Sequence, residues 1–135
     1  MPEENIEVVR RIFDGWAIGD LGAARDRFDE HIVFVVSREF PATGAVMGLE
    51  GVRGFVRNFL AQWERVSFEA KRLQAIGDTV LVTLVQRSTG RTSGLEAELA
   101  FFMLFTFRGG MIIRMESVMD ENAALAAAGL TGRKL

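Results

Sequence analysis

From Asn5 to Ile18 the apolar residues Ile6, Val8, Val9, Ile12, Phe13 and Trp16 recur at steps of three and four, which predicts a helix with one inward stripe. Gly19 ends it, and Asp20 is placed to cap a short second helix reaching about Arg27. HIVFVV, residues 31–36, is a short β-branched run and predicts a strand. SREFPATGAVMG, residues 37–48, carries Pro41, Gly44 and Gly48 and predicts a long loop. Helical spacing returns in LEGVRGFVRNFLAQWERV, residues 49–66, where Val52, Phe55, Val56, Phe59, Leu60 and Trp63 share one side despite two internal glycines. Strands then follow at about Ser67–Ala75, Val80–Ser88, Leu95–Phe107 and Met111–Met119, with tight turns at 77–78 and 108–110. An alanine-rich helix closes the chain, with Asp120 at its N-cap and Gly129 after its end.

Helices first and strands afterwards predict an α+β fold, with the helices on one face of a curved antiparallel sheet. The run LAFFMLFTF, residues 99–107, holds four phenylalanines and no charge. As a helix it would rise only about 14 Å, against roughly 30 Å for a bilayer core, so it is no membrane span. As a central strand it presents apolar side chains to both faces. Helices cover one of those faces, and the other needs a second cover.

The composition narrows the function. The 135 residues are expected to form a single domain, residues 1–135, with 49% apolar and 25% charged residues. A formal charge of -2 supplies no basic footprint for nucleic acid. The absence of cysteine removes disulfides, thiolate nucleophiles and zinc knuckles. MPEENIEVVRR lacks the pattern of a signal peptide, so a cytoplasmic location is expected.

Three pieces in order, VVRRIFDGWAIGDLGAARDRF, GLEGVRGFVRNFL and FTFRGGMIIRM, resemble the SnoaL-like branch of the NTF2-like superfamily across nearly the whole chain. The resemblance implies an NTF2-like cone: a strongly curved antiparallel sheet wrapped around N-terminal helices, a short C-terminal helix and a deep pocket. It also implies a homodimer through the outer sheet face, which would cover the second side of LAFFMLFTF. The superfamily includes ketosteroid isomerases, polyketide cyclases, epoxide hydrolases, dehydratases and members that only bind or assemble, so fold alone does not fix function.

Isomerase-like members use a carboxylate base on the first strand, a tyrosine on the first helix and a protonated acid on the long central strand. Those positions fall at Val35, or Phe34 with a one-residue slip, at Ile12 and at Met103, and the chain has no tyrosine. Proton transfer built on them is not available.

On the last strand Met115, Ser117 and Met119 are expected inward, and Arg114 and Glu116 outward unless a bulge reverses the parity. The lone histidine, His31, is expected at the surface; with Asp29 and Glu30 merely adjacent, no metal site is expected. Arg87, placed inward with Leu81, Thr83 and Val85, either pairs with a ligand oxygen at the pocket mouth or ends a strand in solvent.

The expected pocket wall is Trp16, Phe34, Phe55, Phe59, Trp63, Thr83, Arg87, Met103, Met115, Ser117 and Met119. It suits a small hydrophobic molecule and implies no cofactor, no nucleic acid and no membrane. Two alternatives stand beside binding: a cyclase or isomerase acting mainly by shaping its substrate, with Arg87 or Thr83 orienting a carbonyl, and a module that only dimerises. In LAFFMLFTF, Phe101, Met103 and Phe105 are expected to face the cone, and Phe102 and Leu104 the partner.

Overall fold

The computed structural model describes residues 2–20, 22–36 and 44–129. The chain runs through α1 (Pro2–Ala17), one 3-10 turn (Arg25–Arg27), β1 (Phe28–Val36), β2 (Gly44–Met47), α2 (Leu49–Ala61), β3 (Trp63–Ile76), β4 (Thr79–Gly90), β5 (Glu96–Arg108), β6 (Met111–Val118) and α3 (Glu121–Ala127). Six strands form one sheet in the order β2-β1-β6-β5-β4-β3. The architecture is α+β, as expected. The sheet is mixed rather than wholly antiparallel: β1 and β6 run parallel, and every other neighbouring pair antiparallel.

The α1 stripe packs as its spacing dictates, with Val8, Val9, Ile12 and Phe13 in the main core. One turn of α2 shows how the sheet bends. Phe55 meets Phe34 of β1 at a ring distance of 5.4 Å, and Phe59 meets Phe68 of β3 at 6.3 Å. Those two strands are four places apart, about 19 Å across a flat sheet, whereas Phe55 and Phe59 are about 6 Å apart along the helix. The sheet therefore curls around α2. Register shifts between Ala70 and Arg72 of β3 and between Thr106 and Phe107 of β5 mark bulges, which bend strands of this length.

Three expected elements are corrected. Asp20 does not cap a helix: its carboxylate accepts from the Gly22 amide at 3.0 Å in an Asx turn, and only the 3-10 turn follows. The helix expected to run to residue 66 ends at Ala61, and Trp63 begins β3. Arg91 sets that boundary, donating from Nε to the Ala61 carbonyl and from its Nη2 to the Trp63 carbonyl, each at 3.0 Å. A cation at a helix C-terminus also complements the helix dipole. The loop expected at residues 37–48 contains β2 at its end; residues 37–43 lie outside the described residues. By contrast Asp120 caps α3 as expected, accepting from the Ala123 amide at 2.9 Å. Among the described residues no helix is long and apolar enough to cross a membrane.

The packing makes two stability changes predictable. A Cβ on Gly15 would collide with Ala23 Cβ, whereas one on Gly54, inside α2, meets nothing within 4 Å. In chemical denaturation, Gly15→Ala should lower stability and Gly54→Ala should raise it by about 0.5–1 kcal/mol. Phe105→Ala, at a fully buried position, should cost about 3–5 kcal/mol.

Candidate functional site

Strand β5 sets both sides of the site. Its inner row, Phe101, Met103 and Phe105, packs into the main core with Val82, Leu84, Met115 and the α1 stripe. Its outer row belongs to a second cluster in which Leu104 lies with Leu81, Val118, Ala124 and Ala128. Leu104 is 2% exposed, so its cover is α3 of the same chain rather than a partner subunit. Phe102 packs partly against the same cluster.

Register then sorts the expected wall residues. Phe34 pairs with Met115, Met115 with Phe105, and Ser117 with Met103, which puts all of them on the inner face. Met119 packs against the same core. Arg114 and Glu116 take the opposite parity and form an ion pair at 3.4 Å on the outer face. At the isomerase-type positions the inward residue of β1 is Phe34; Val35, paired with Glu116, points outward. Ile12, Phe34 and Met103 thus place only apolar groups there.

Thr83 and Arg87 are corrected. Thr83 pairs with Phe102 and Arg87 with Glu98, on the parity of Leu81, so both lie on the outer face. Alternation could not decide this, because β4 is apolar at both parities from Val80 to Val85. Arg87 bridges three strands there, donating to Glu69 at 2.8 Å and to Glu98 at 2.9 Å. Its guanidinium, with Lys71 as a second donor, holds the Glu69 carboxyl below its ordinary value. A depressed folded-state value means that this contribution is present above the unfolded carboxylate range and lost as pH falls through the folded value. The Arg87 guanidinium is in turn raised by its bonds to Glu69 and Glu98.

The inner face divides into a sealed floor and a partly open wall. Ile12, Val80, Val82 and Phe105 have no accessible surface, so no void large enough for water touches them. From that floor a chain of rings climbs outward. Phe13 lies 6.1 Å from Phe105 and 5.1 Å from Trp16; Trp16 lies 5.6 Å from Phe68; Phe59 lies 6.3 Å from Phe68 and 6.1 Å from Trp63. Trp16, Phe55, Phe59, Trp63 and Phe68 are only partly buried, as is Met119. The rim of the interior is therefore lined by partly buried aromatic rings. Phe13 and Phe101, both expected inward, pack behind these rings, and Phe68, which was not among the expected wall residues, joins them; the alternation Val66, Phe68, Ala70 was the available signal for it.

Charged chemistry sits elsewhere. One surface depression of about 650 Å³ is lined by Arg11, Asp14, Asp20 and Arg25 among others, and another of about 500 Å³ by Arg65, Arg87, Glu96 and Glu98. Neither includes a residue of the aromatic wall. His31 is at the surface, its ring 3.6 Å from Glu30. Among the described residues no three potential metal-ligating side chains gather.

Comparison with known proteins agrees with this geometry. The family model described as SnoaL-like domain matches residues 9–115. Three solved structures superpose over almost their whole length. A proposed SnoaL-like polyketide cyclase from Jannaschia sp. CCS1 is 23% identical, with TM-score 0.77 over 94% of this chain and 92% of that one. TerC, co-crystallised with polyporic acid, is 20% identical, with TM-score 0.75 over 93% and 98%. A protein of ketosteroid isomerase-like fold from Catenulispora acidiphila DSM 44928, in complex with trimethylamine, is 19% identical, with TM-score 0.72 over 92% and 93%. A comparison with curated protein sequences returns no significant match. The sealed floor, the curled sheet and the matched residues 9–115 lead to one assignment: the chain belongs to the SnoaL-like family, within the NTF2-like, ketosteroid isomerase-like fold.

Proposed function

We propose that this protein binds a small, hydrophobic, planar molecule against the aromatic wall of the cone, and that it does so without acid–base chemistry at Ile12, Phe34 and Met103. The observation that carries the reading is the contiguous set of partly open rings, Trp16, Phe68, Phe59 and Trp63, above a floor with no accessible surface. Aromatic faces stack on flat guests, and methionines such as Met103, Met115 and Met119 adapt to their outline. Related folds with small-molecule names, TerC with polyporic acid and the proposed polyketide cyclase, support a guest of this size. Substrate shaping remains open to such a wall, but Arg87 and Thr83 are on the wrong face to orient a carbonyl within it.

A homodimer through the outer face is the second part of the proposal. The outer row carries Val33, Val35 and Val85 beyond α3, and Phe102 at the edge of the cluster under α3, all partly exposed in the single chain. A second copy would remove that apolar surface from water.

Titration with anilinonaphthalene sulfonate checks the binding surface. The unmodified chain should enhance its fluorescence saturably; Phe59→Ala and Trp16→Ala should each weaken it roughly tenfold, and Arg87→Ala should leave it unchanged. A loss with Arg87→Ala and none with Phe59→Ala would contradict the proposal. Light scattering checks the assembly: the particle should have twice the 15.0 kDa chain mass, and Val85→Lys should return it to one chain. A single-chain mass for the unmodified protein contradicts the dimer.

A further inference from the structure

We propose that the cone selects a guest bearing a carbonyl or hydroxyl oxygen, and that the Gln86 amide reads it. The inference rests on the binding surface proposed above. Along the inner row of β4, Val80, Val82 and Leu84 are sealed into the core. At Gln86 the apolar pattern breaks, although the residue is only 7% exposed. It stands directly across from Phe68 on one side and Leu99 on the other. Side chains so paired have Cβ atoms about 5 Å apart, so Gln86 stands beside Phe68, whose ring packs with those of Trp16 and Phe59.

Among the described residues the amide forms no hydrogen bond. Nor is it sealed: the one buried side-chain polar atom without a partner there is the Trp63 indole nitrogen. The Gln86 polar atoms therefore keep some accessible surface on the inner row beside Phe68. Ser88, buried on the same row two positions on, extends this polar end. For folding alone, leucine would serve better, because an amide withdrawn from bulk water without a protein partner is destabilising.

The chemistry of the amide defines the guest. Its two N–H groups donate to a carbonyl, and its own carbonyl accepts from a hydroxyl, so one side chain reads both keto and enol or phenol forms. Aromatic rings with an amide beside them suit a planar aromatic with an oxygen on its edge, in preference to a bare hydrocarbon of the same size.

Equilibrium dialysis of the full chain against naphthol and methylnaphthalene, two flat probes of nearly equal size, tests this. Gln86→Leu should weaken naphthol binding about tenfold and leave methylnaphthalene binding no weaker, while its melting temperature stays level or rises. Gln86→Met, closer in shape, should behave in the same way. Equal affinity changes for both probes, no change for either, or a fall in melting temperature with both variants would overturn the role of Gln86 while leaving the aromatic wall standing. If the unmodified chain retains neither probe, the binding surface itself falls, and this inference with it.

Discussion

Strand β5 must bury both of its faces, and the remaining architecture answers that demand. Each fully buried phenylalanine or leucine is stabilised by about 1.5–3 kcal/mol relative to exposure. The inner row, Phe101, Met103 and Phe105, reaches that burial only if the sheet curls around α1 and α2; the outer Leu104 reaches it beneath α3. The curl brings β1 and β3 to one turn of α2 through Phe55 and Phe59. Core and candidate site are therefore one continuous surface, sealed at Ile12 and Phe105 and partly open from Trp16 to Trp63.

That continuity explains how a family known for varied chemistry can keep its fold while its site changes. The positions at which isomerase-like relatives place a base and two hydrogen-bond donors are filled here by Phe34, Ile12 and Met103, which contribute to packing. Fold does not assign function, and in this chain the inner face offers shape and aromatic contact, with polarity confined to a few positions. Charged side chains of the sheet are paired on its outer face. Arg87 ties Glu69 and Glu98 across three strands, and Arg114 pairs with Glu116.

What the sequence made legible follows from how many physical signals agreed at each place. The α1 stripe and the α3 cap each had a periodic pattern and a terminating residue, and both formed as expected. On β6 the alternation of Arg114 and Glu116 with Met115 and Ser117 was clean, and the parity followed from it. On β4 and β1 the runs VLVTLV and IVFVV are apolar at both parities, so alternation carries no sign of which row faces inward; one-residue shifts therefore moved Thr83 and Arg87 outward and exchanged Val35 for Phe34. Trp63 continued a helical spacing, but the boundary was set by Arg91, a contact 28 residues away that no local pattern contains. Gln86 was a polar letter in an apolar strand, visible in the sequence but without meaning until the register placed it opposite Phe68.

The methionines make a direct test possible. The chain has six, and Met103, Met115 and Met119 line the interior while Met47 is 74% exposed on the other face of the sheet edge. In a spectrum of the carbon-13 labelled methionine methyl groups, a flat aromatic guest bound to the wall should shift Met119 and Met103 through its ring current and leave Met47 in place. Shifts confined to Met47, or no saturable shift at any interior methionine, would contradict a binding site inside the cone.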